Sequence, residues 1–527
     1  MKLIKSVTAV GFYTIISRVV GFLRDILMAS YIGTGAIMDP LVIAIKIPSF
    51  VRRILAEGAF NASFVPMFTA LLTSRSRQEA ATFAQEVLTI LMSVLLPLTL
   101  VVEIFMPWIV PLLSPGFNEE MMLRAIEFTR VTFPFVVLIS LTALFSSILN
   151  SFDRFTAAAS SPIAGGVFVV SILLLYGPGH VASGQPVAMA IVGSGVVQLL
   201  WVMLPCYLMG MKIHWWPRPL SLESRAFIKR MLPGAVGSGV TQINLFVDMI
   251  IASLLPTGTM SFLYYADRFN QLPISVLGSA ISTALLPIMA RQWRSGDRSN
   301  AMHNQNRAIE FSMLVALPMM IGLMYLAYPL ILVVFQRNAF SVAATHETAK
   351  VLAAFSSGLP AYILVKIFNT SFFSRQDTTT PIRVATISMV LNVVLSLLLM
   401  HPLKHVGIAL APSIAAWTSA GILGALLYRQ QYLVIDENLK RFIPRVLICC
   451  VVLVMVLMLA RHGLTPYLES GDGWWIRSLA LTALVCIGIV TFLVSSYATG
   501  CVDFKDLVQH VTFNDEEAPK SQSYHSY

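Results

Sequence analysis

The residues of this chain with the most chemical potential are charges placed where charge is expensive. Arg18, Arg24 and Asp25 lie in the first long apolar segment, and Lys46, Arg52 and Arg53 in the second. Asp248 falls in the seventh segment, Arg268 in the eighth and Lys366 in the tenth. A cation at the centre of a bilayer costs at least about 2.5–3.5 kcal/mol, so such residues face a polar cavity or a partner. The cations outnumber the nearby acids Asp25, Asp39 and Asp267. Internal ion pairing cannot neutralise them all; an anionic ligand would. Arg18 and Asp25 are seven residues apart and share a helix face, with Gly21 between them leaving room for close approach. Lys46 and Arg53 have the same spacing. Arg24 sits about 120° around a straight helix from Arg18, so both reach one cavity only if it is wide or the helix bends. Guanidinium forks match phosphate oxygens, which suits a diphosphate better than a carboxylate.

Each of these residues also has a plainer reading. Arg52 and Arg53 could snorkel, or Arg53 could pair with Glu57 four residues on. Asp39 followed by Pro40 fits a helix N-cap with proline at the first helical position. Tyr264-Tyr265 before Asp267-Arg268 could mark a membrane edge, where tyrosine is common. Lys366 has no obvious partner and serves either a cavity or an interhelix contact.

The elements that must position these charges follow from composition. Of 527 residues, 57% are hydrophobic and 12% charged, against roughly 25% charged in an ordinary soluble domain. The apolar residues suffice for roughly 14 spans of about 20 residues. A soluble multidomain enzyme and a single-span receptor are excluded. Apolar runs near 7–31, 39–71, 83–112, 123–150, 158–177 and 185–209 precede a basic stretch from Lys212 to Arg230. Six more lie near 231–255, 262–290, 308–335, 345–372, 382–401 and 407–429, then two near 446–464 and 475–498. Trp474 and Trp475 sit where an interfacial anchor would. The expected fold is an all-α polytopic membrane protein of about 14 spans.

The 36 Lys and Arg against 26 Asp and Glu give a net charge of +10. Most of that excess falls in alternate loops, which places both termini in the cytoplasm and calls for no nucleic acid. Cys206, Cys449, Cys450, Cys486 and Cys501 show no CxxC or His spacing and read as small buried apolar side chains. Lys2 and Lys5 precede an apolar run without a small-residue cleavage site, so that run is a first span. No GxxxxGK[ST] loop and no HExxH cluster occurs, so neither nucleotide hydrolysis of that kind nor a metal centre is expected. No resident cofactor is expected, with Na⁺ or H⁺ coupling left open.

An internal repeat is visible. Asp25 to Ser30 followed by Thr34-Gly35 reappears as Asp248 to Ser253 followed by Thr257-Gly258, a shift of 223 residues. Ser151 to Arg154 with Pro162 is echoed by Phe373 to Asp377 with Pro381. Six spans per repeat give halves of like orientation, the layout of a secondary transporter. The expected organisation is an N-lobe over 1–215, a C-lobe over 216–430, a C-terminal helix pair over 431–500, and a polar, disordered cytoplasmic tail over 501–527.

The blocks around the charges resemble those of the MurJ (MviN) lipid II flippases: Ser17-Arg18 with Gly21 and Arg24-Asp25, and Arg52-Arg53 with Glu57-Gly58 and Phe64-Val65-Pro66. Tyr264 to Arg268 and Ser374 to Asp377 with Thr380-Pro381 match as well, and the resemblance covers nearly the whole chain. It implies the fold of the multidrug/oligosaccharidyl-lipid/polysaccharide exporter superfamily, with two six-helix lobes and two C-terminal helices forming a lipid-tail groove. It implies a flippase, not an enzyme, moving undecaprenyl-diphosphate disaccharide-pentapeptide between leaflets of the bacterial cytoplasmic membrane by alternating access. By the same resemblance Arg18, Arg24, Arg52 and Arg268 hold the substrate diphosphate. Asp25, Asp39, Lys46, Arg53, Ser261, Asp267 and Lys366 line the cavity or gate. Asp248 and Asn392 match a cation site, with Ser396 where a second acid would help. The chain departs from the family at Gln271, where some members carry Glu, and at Ser49, where Asn is common. The protein is expected to act as a monomer in the phospholipid bilayer and to associate with the cell-wall synthesis machinery. Rival readings are an exporter of drugs or another polyprenyl glycan, and a non-transporting scaffold. An exporter of cationic drugs would want acids in its cavity, and a scaffold has no use for buried Arg.

Overall fold

The computed structural model describes residues 2–55, 59–211, 213, 220–469 and 473–501. Glu57 and Gly58, Lys212 and residues 214–219 of the basic stretch, and the tail from Val502 lie outside the described residues. Regular structure among the described residues is all α-helix. The first eight helices are α1 (Lys2–Ile32), α2 (Met38–Leu55), α3 (Ala59–Ser74), α4 (Arg77–Leu113), α5 (Glu119–Thr132), α6 (Phe135–Ser151), α7 (Phe155–Val181) and α8 (Gln185–Leu208). Then come α9 (Leu222–Ser253), α10 (Thr259–Arg294), α11 (Arg298–Tyr325), α12 (Ala327–Phe335), α13 (Val342–Ser356), α14 (Leu359–Ser374) and α15 (Thr379–Arg429). The last two are α16 (Glu437–Glu469) and α17 (Trp474–Ala498). Among the described residues nine helical stretches are long and apolar enough to cross a membrane. The chain is a multi-pass membrane protein.

Two runs expected as spans contain a turn. The run over 39–71 holds α2 and α3, with residues 56–58 outside the described residues, while that over 123–150 breaks at Phe133-Pro134, where proline offers no backbone donor. The run over 345–372 breaks at Ser357-Gly358. Conversely, α15 is 51 residues long, about 76 Å if straight, which is more than twice a hydrocarbon core of about 30 Å. Its backbone leaves helical geometry at Lys404 (φ 50°, ψ −131°). Gly407 then packs against the backbone and side chain of Leu399 so closely that a Cβ would collide. The helix therefore supplies two crossings joined at Lys404, as the runs 382–401 and 407–429 anticipate. Counted this way, the helices are consistent with the expected 14 spans.

Polar side chains start the helices where the chain leaves its turns. Ser76 accepts from Glu79 N, Asn118 from Met121 N, Ser221 from Ser224 N and Ser341 from Ala344 N. Asp377 accepts from both the backbone N–H and the hydroxyl of Thr380 at the start of α15. Such caps satisfy donors that the helix itself leaves open.

The repeat extends well beyond its sequence signature. Gly35 (φ 105°) and Gly258 (φ 101°) make the same turn before α2 and α10. Asp153 (φ 59°) and Gln376 (φ 65°), again 223 apart, make the same turn before α7 and α15. The caps Asn118 and Ser341 have that offset too, and start corresponding helices α5 and α13.

Two compact units can be described separately. The first comprises Met1–Leu272, Leu330–Gly358 and Ala385–Thr418. Within it α1 packs on α7, α7 and α6 on α8, α2 on α5, and α9 on α2, α3 and α4. Phe60, Phe64 and Phe83 surround the ring of Phe227 on α9. Beside that cluster, the Glu86 carboxylate of α4 accepts from Ser221 N at 3.1 Å, Ser221 Oγ at 2.5 Å and Ser224 Oγ at 2.6 Å. The start of α9 is thus anchored by an acid from α4. Loops of the two repeats also dock on each other. Ala339 N donates to Ser30 O at 3.0 Å and Asn338 Nδ2 to Ser30 Oγ at 2.9 Å. The repeat-related Gly116 N donates to Ser253 Oγ at 3.4 Å.

The second unit comprises Pro273–Pro329, Leu359–Val384 and Ser419–Tyr527. There α11 packs on α14 and α16, and α16 on α17. Arg375 lies 3.6 Å from the ring centroid of Tyr432, and Arg307 pairs with Asp436 at 2.6 Å, tying the turn before α16 to α11 and α14. Cys206, Cys449 and Cys450 are buried as expected, but Cys486 is exposed on α17 and Cys501 is half-buried. A thiol on an apolar membrane helix needs no burial, because surrounding lipid is itself apolar. Trp474 and Trp475 are exposed at the start of α17, ring centroids 4.5 Å apart, as an interfacial pair would be.

Gly33 has a φ of 75°, and a Cβ there would collide with the backbone of Ala339. Gly33→Ala should cost about 1–2 kcal/mol or more and lower the melting temperature of the purified protein. Gly421, on α15 with open space around it, is the control, where Gly421→Ala should be neutral or stabilising by up to about 1 kcal/mol. Equal melting temperatures for Gly33→Ala and the parent would contradict the docked arrangement.

Candidate functional site

The charges of α1 and the first part of α10 converge. Arg18, Gly21, Phe22, Arg24 and Asp25 line a pocket of about 100 Å³ together with Arg268, Gln271 and Leu272. The seven-residue spacing of Arg18 and Asp25 puts both on this wall. Arg24 lines it as well, with its side chain turned to the carboxylate of its neighbour. Nothing stands within 4 Å of where a Cβ on Gly21 would be, so this glycine keeps the wall open.

Asp25 is the electrostatic centre, with a relative exposure of 1%. Its Oδ1 accepts from Arg24 Nε at 3.0 Å, Arg24 Nη2 at 2.8 Å and the Tyr264 hydroxyl at 3.0 Å. Its Oδ2 lies 3.2 Å from Arg268 Nε. The Arg268 guanidinium also lies over the Tyr264 ring, 4.3 Å from its centroid. Three guanidiniums therefore face the pocket with one carboxylate among them, an excess of two positive charges. Asp267 is outside the lining and is hydrogen-bonded by Gln271 Nε2, but its charge acts on Arg268 and offsets part of the excess carried by the lining residues. Lys46 is half-buried within electrostatic range of Asp267, Asp248 and Arg268. Such a wall can hold an anion with several oxygens by charge-assisted, forked hydrogen bonds.

Other candidates lie elsewhere. Arg52 is half-buried on α2 and is not among the residues lining this pocket. Arg53 donates to Gln242 Oε1 at 3.2 Å. Lys366 belongs to the second unit, where its ammonium donates to Ile274 O at 3.2 Å and packs over Gly278. It makes the interhelix contact. Asn392 Nδ2 donates to Asp248 Oδ1 and Asn244 Oδ1, both at 3.0 Å. That cluster satisfies its acid with an amide, carries a single carboxylate, and leaves Asn392 Oδ1 and the fully buried Ser396 Oγ without hydrogen-bond partners among the described residues.

Asp39 caps a helix, but not its own. Its carboxylate accepts from Gly258 N at 2.6 Å, Ser261 N at 2.8 Å and the Ser261 hydroxyl. It closes the start of α10, while Ser261 Oγ in return accepts from Gly35 N at 3.3 Å. The repeated Thr-Gly turns thereby clasp each other. Tyr264 and Tyr265 are buried, at 3% and 0% exposure, and do not mark a membrane edge. Tyr265 donates to Gly33 O at 3.2 Å. Sequence reasoning missed Tyr264 as part of the charge cluster, although its four-residue spacing from Arg268 puts both on one helix face.

Asp39→Ala would leave two backbone donors and a hydroxyl unsatisfied, at a cost of about 1–3 kcal/mol. Asp39→Asn, which keeps one acceptor oxygen, should cost less. Thermal unfolding should rank the parent above Asn and Asn above Ala; three equal midpoints would contradict the clasp.

Comparison with known proteins fits this geometry. The family model described as lipid II flippase MurJ matches residues 28–474. A probable lipid II flippase MurJ of Rickettsia prowazekii (strain Madrid E) is 33% identical over 506 residues, covering 96% of this chain and 99% of that protein. One from Rhizobium tropici is 36% identical over 510 residues, covering 95% of each. A solved structure of lipid II flippase MurJ in an inward closed conformation superposes with a TM-score of 0.76 at 25% identity, covering 95% of this chain and 99% of that one. An inward-facing multidrug resistance MATE family transporter of the MOP superfamily shares the fold, with a TM-score of 0.65 at 15% identity over 80% of this chain and 95% of that one. The chain belongs to the MurJ lipid II flippase family.

Proposed function

We propose that this protein carries lipid II, an undecaprenyl-diphosphate-linked disaccharide-pentapeptide, from the inner to the outer leaflet of the bacterial cytoplasmic membrane by alternating access. The observation that carries this reading is the wall of Arg18, Arg24 and Arg268, with a charge excess of two, inside a multi-pass membrane protein. A diphosphate supplies matching negative charge and oxygens spaced for forked guanidinium bonds. A cationic cargo would be repelled, which disfavours a drug exporter of that kind.

A pocket of about 100 Å³ holds a few water molecules, not a glycan-peptide headgroup. Carrying that headgroup requires this space to widen during the cycle. In the open stage Arg18, Arg24 and Arg268 capture the diphosphate, Arg52 joins them from α2, and the lipid tail stays in the bilayer along α16 and α17. The regions 1–215 and 216–430 act as the two rocking lobes, and the Asp39–Ser261 clasp opens to release the headgroup. Placing the basic loops and both termini in the cytoplasm makes outward movement of an anion favourable, by about 2.3 kcal/mol per charge per 100 mV. A monomer suffices for this cycle, with no resident cofactor.

Arg24→Ala should abolish complementation in cells depleted of the protein while leaving its membrane level unchanged by immunoblot. Arg24→Lys, which keeps charge but loses the fork, should complement only partly. Full complementation by Arg24→Ala would overturn the assignment.

A further inference from the structure

We propose that Tyr264 is a positioning residue that sets how firmly Asp25 occupies the pair Arg24 and Arg268, and thereby how tightly the pocket takes a diphosphate. The inference rests on the anion reading above. In this pocket the Asp25 carboxylate stands where an external anion would: it receives both contacts from Arg24 and sits 3.2 Å from Arg268. An incoming diphosphate needs the Arg24 N–H groups that Asp25 occupies and the Arg268 charge that it offsets, while Arg268 Nε itself has no hydrogen-bond partner among the described residues. Binding is therefore an exchange of one anion for another, and whatever holds Asp25 in place opposes it.

Tyr264 touches both sides of that exchange. Its hydroxyl donates to Asp25 Oδ1 at 3.0 Å, while its ring face carries the Arg268 guanidinium at 4.3 Å. A buried tyrosine often fills a core and merely finds its hydroxyl a partner. The adjacent Tyr265 does that, with its ring beside Phe335 and Phe340 and its hydroxyl on a backbone carbonyl. Tyr264 instead contacts one charge with its hydroxyl and the opposite charge with its ring. The two functions separate by substitution. Tyr264→Phe removes the hold on Asp25 and keeps the ring under Arg268, so the ligand competes against a looser carboxylate. Tyr264→Leu removes both, and Arg268 loses its seat.

The test uses the full-length protein in nanodiscs, titrated with farnesyl diphosphate. Tyr264→Phe should bind about fivefold to tenfold more tightly than the parent, the scale of one hydrogen bond to a charged group, and should turn over more slowly because release is slower. Tyr264→Leu should bind more weakly than the parent. In an Asp25→Ala background the Phe substitution should have no effect on affinity, since its target is gone. Monodispersity and melting temperature report folding of each variant, and the opposite signs for Phe and Leu are readable without the Asp25 variant. Equal weakening by Phe and Leu, unchanged affinity for Phe, or a Phe effect that persists in Asp25→Ala would overturn the proposal while leaving the anion reading intact. A parent protein that takes no diphosphate would overturn both.

Discussion

The structure around the pocket depends on one carboxylate. Asp25 is almost fully buried between Arg24 and Arg268, and its charge keeps two guanidiniums together in a low-dielectric setting. Without a counter-ion, each cation would bear a desolvation cost that few other contacts could offset. With it, the pocket wall is stable yet still carries an excess of positive charge, because Arg18 faces the same space. Partial neutralisation is what a transporter needs. A fully paired cluster would ignore an anion, and an unpaired one would bind it too well to let it go.

A second constraint is the repeat. Copies of one turn, Thr34-Gly35 and Thr257-Gly258, meet through Asp39 and Ser261. Further out, loops with equivalent positions in the two repeats dock on Ser30 and Ser253. These repeat-related contacts tie the turns at this end of the first unit to one another. The anchor at Glu86 on the start of α9 adds a third set of contacts, made by a buried acid and two serines.

Much of this was legible from residue types and spacing. Apolar runs mark the spans because a membrane segment must be about 20 residues of hydrocarbon-compatible side chains. The pocket's three arginines stand out because charge at that depth needs a reason. Spacing along one helix places Arg18 and Asp25 on one wall. Spacing is silent, however, on partners from distant parts of the chain. Asp39 looks like the cap of its own helix, and only the fold shows that it caps a helix that starts 220 residues later. Tyr264 looks like an interfacial tyrosine because its neighbours on α1 are invisible from its own segment. Arg52 also lies in a family-like block, yet it is not among the residues lining the pocket. The breaks in the spans over 123–150 and 345–372 were hidden because uninterrupted hydropathy does not require a straight helix.

The measurement that bears most directly on this account is the appearance of lipid II at the outer face of the cytoplasmic membrane, read by an externally added reagent in cells depleted of this protein. The account predicts that outer-face lipid II disappears while the inner-leaflet pool accumulates. It also predicts that the parent protein restores outer-face lipid II and Arg24→Ala does not. Undiminished appearance at the outer face after depletion would contradict it.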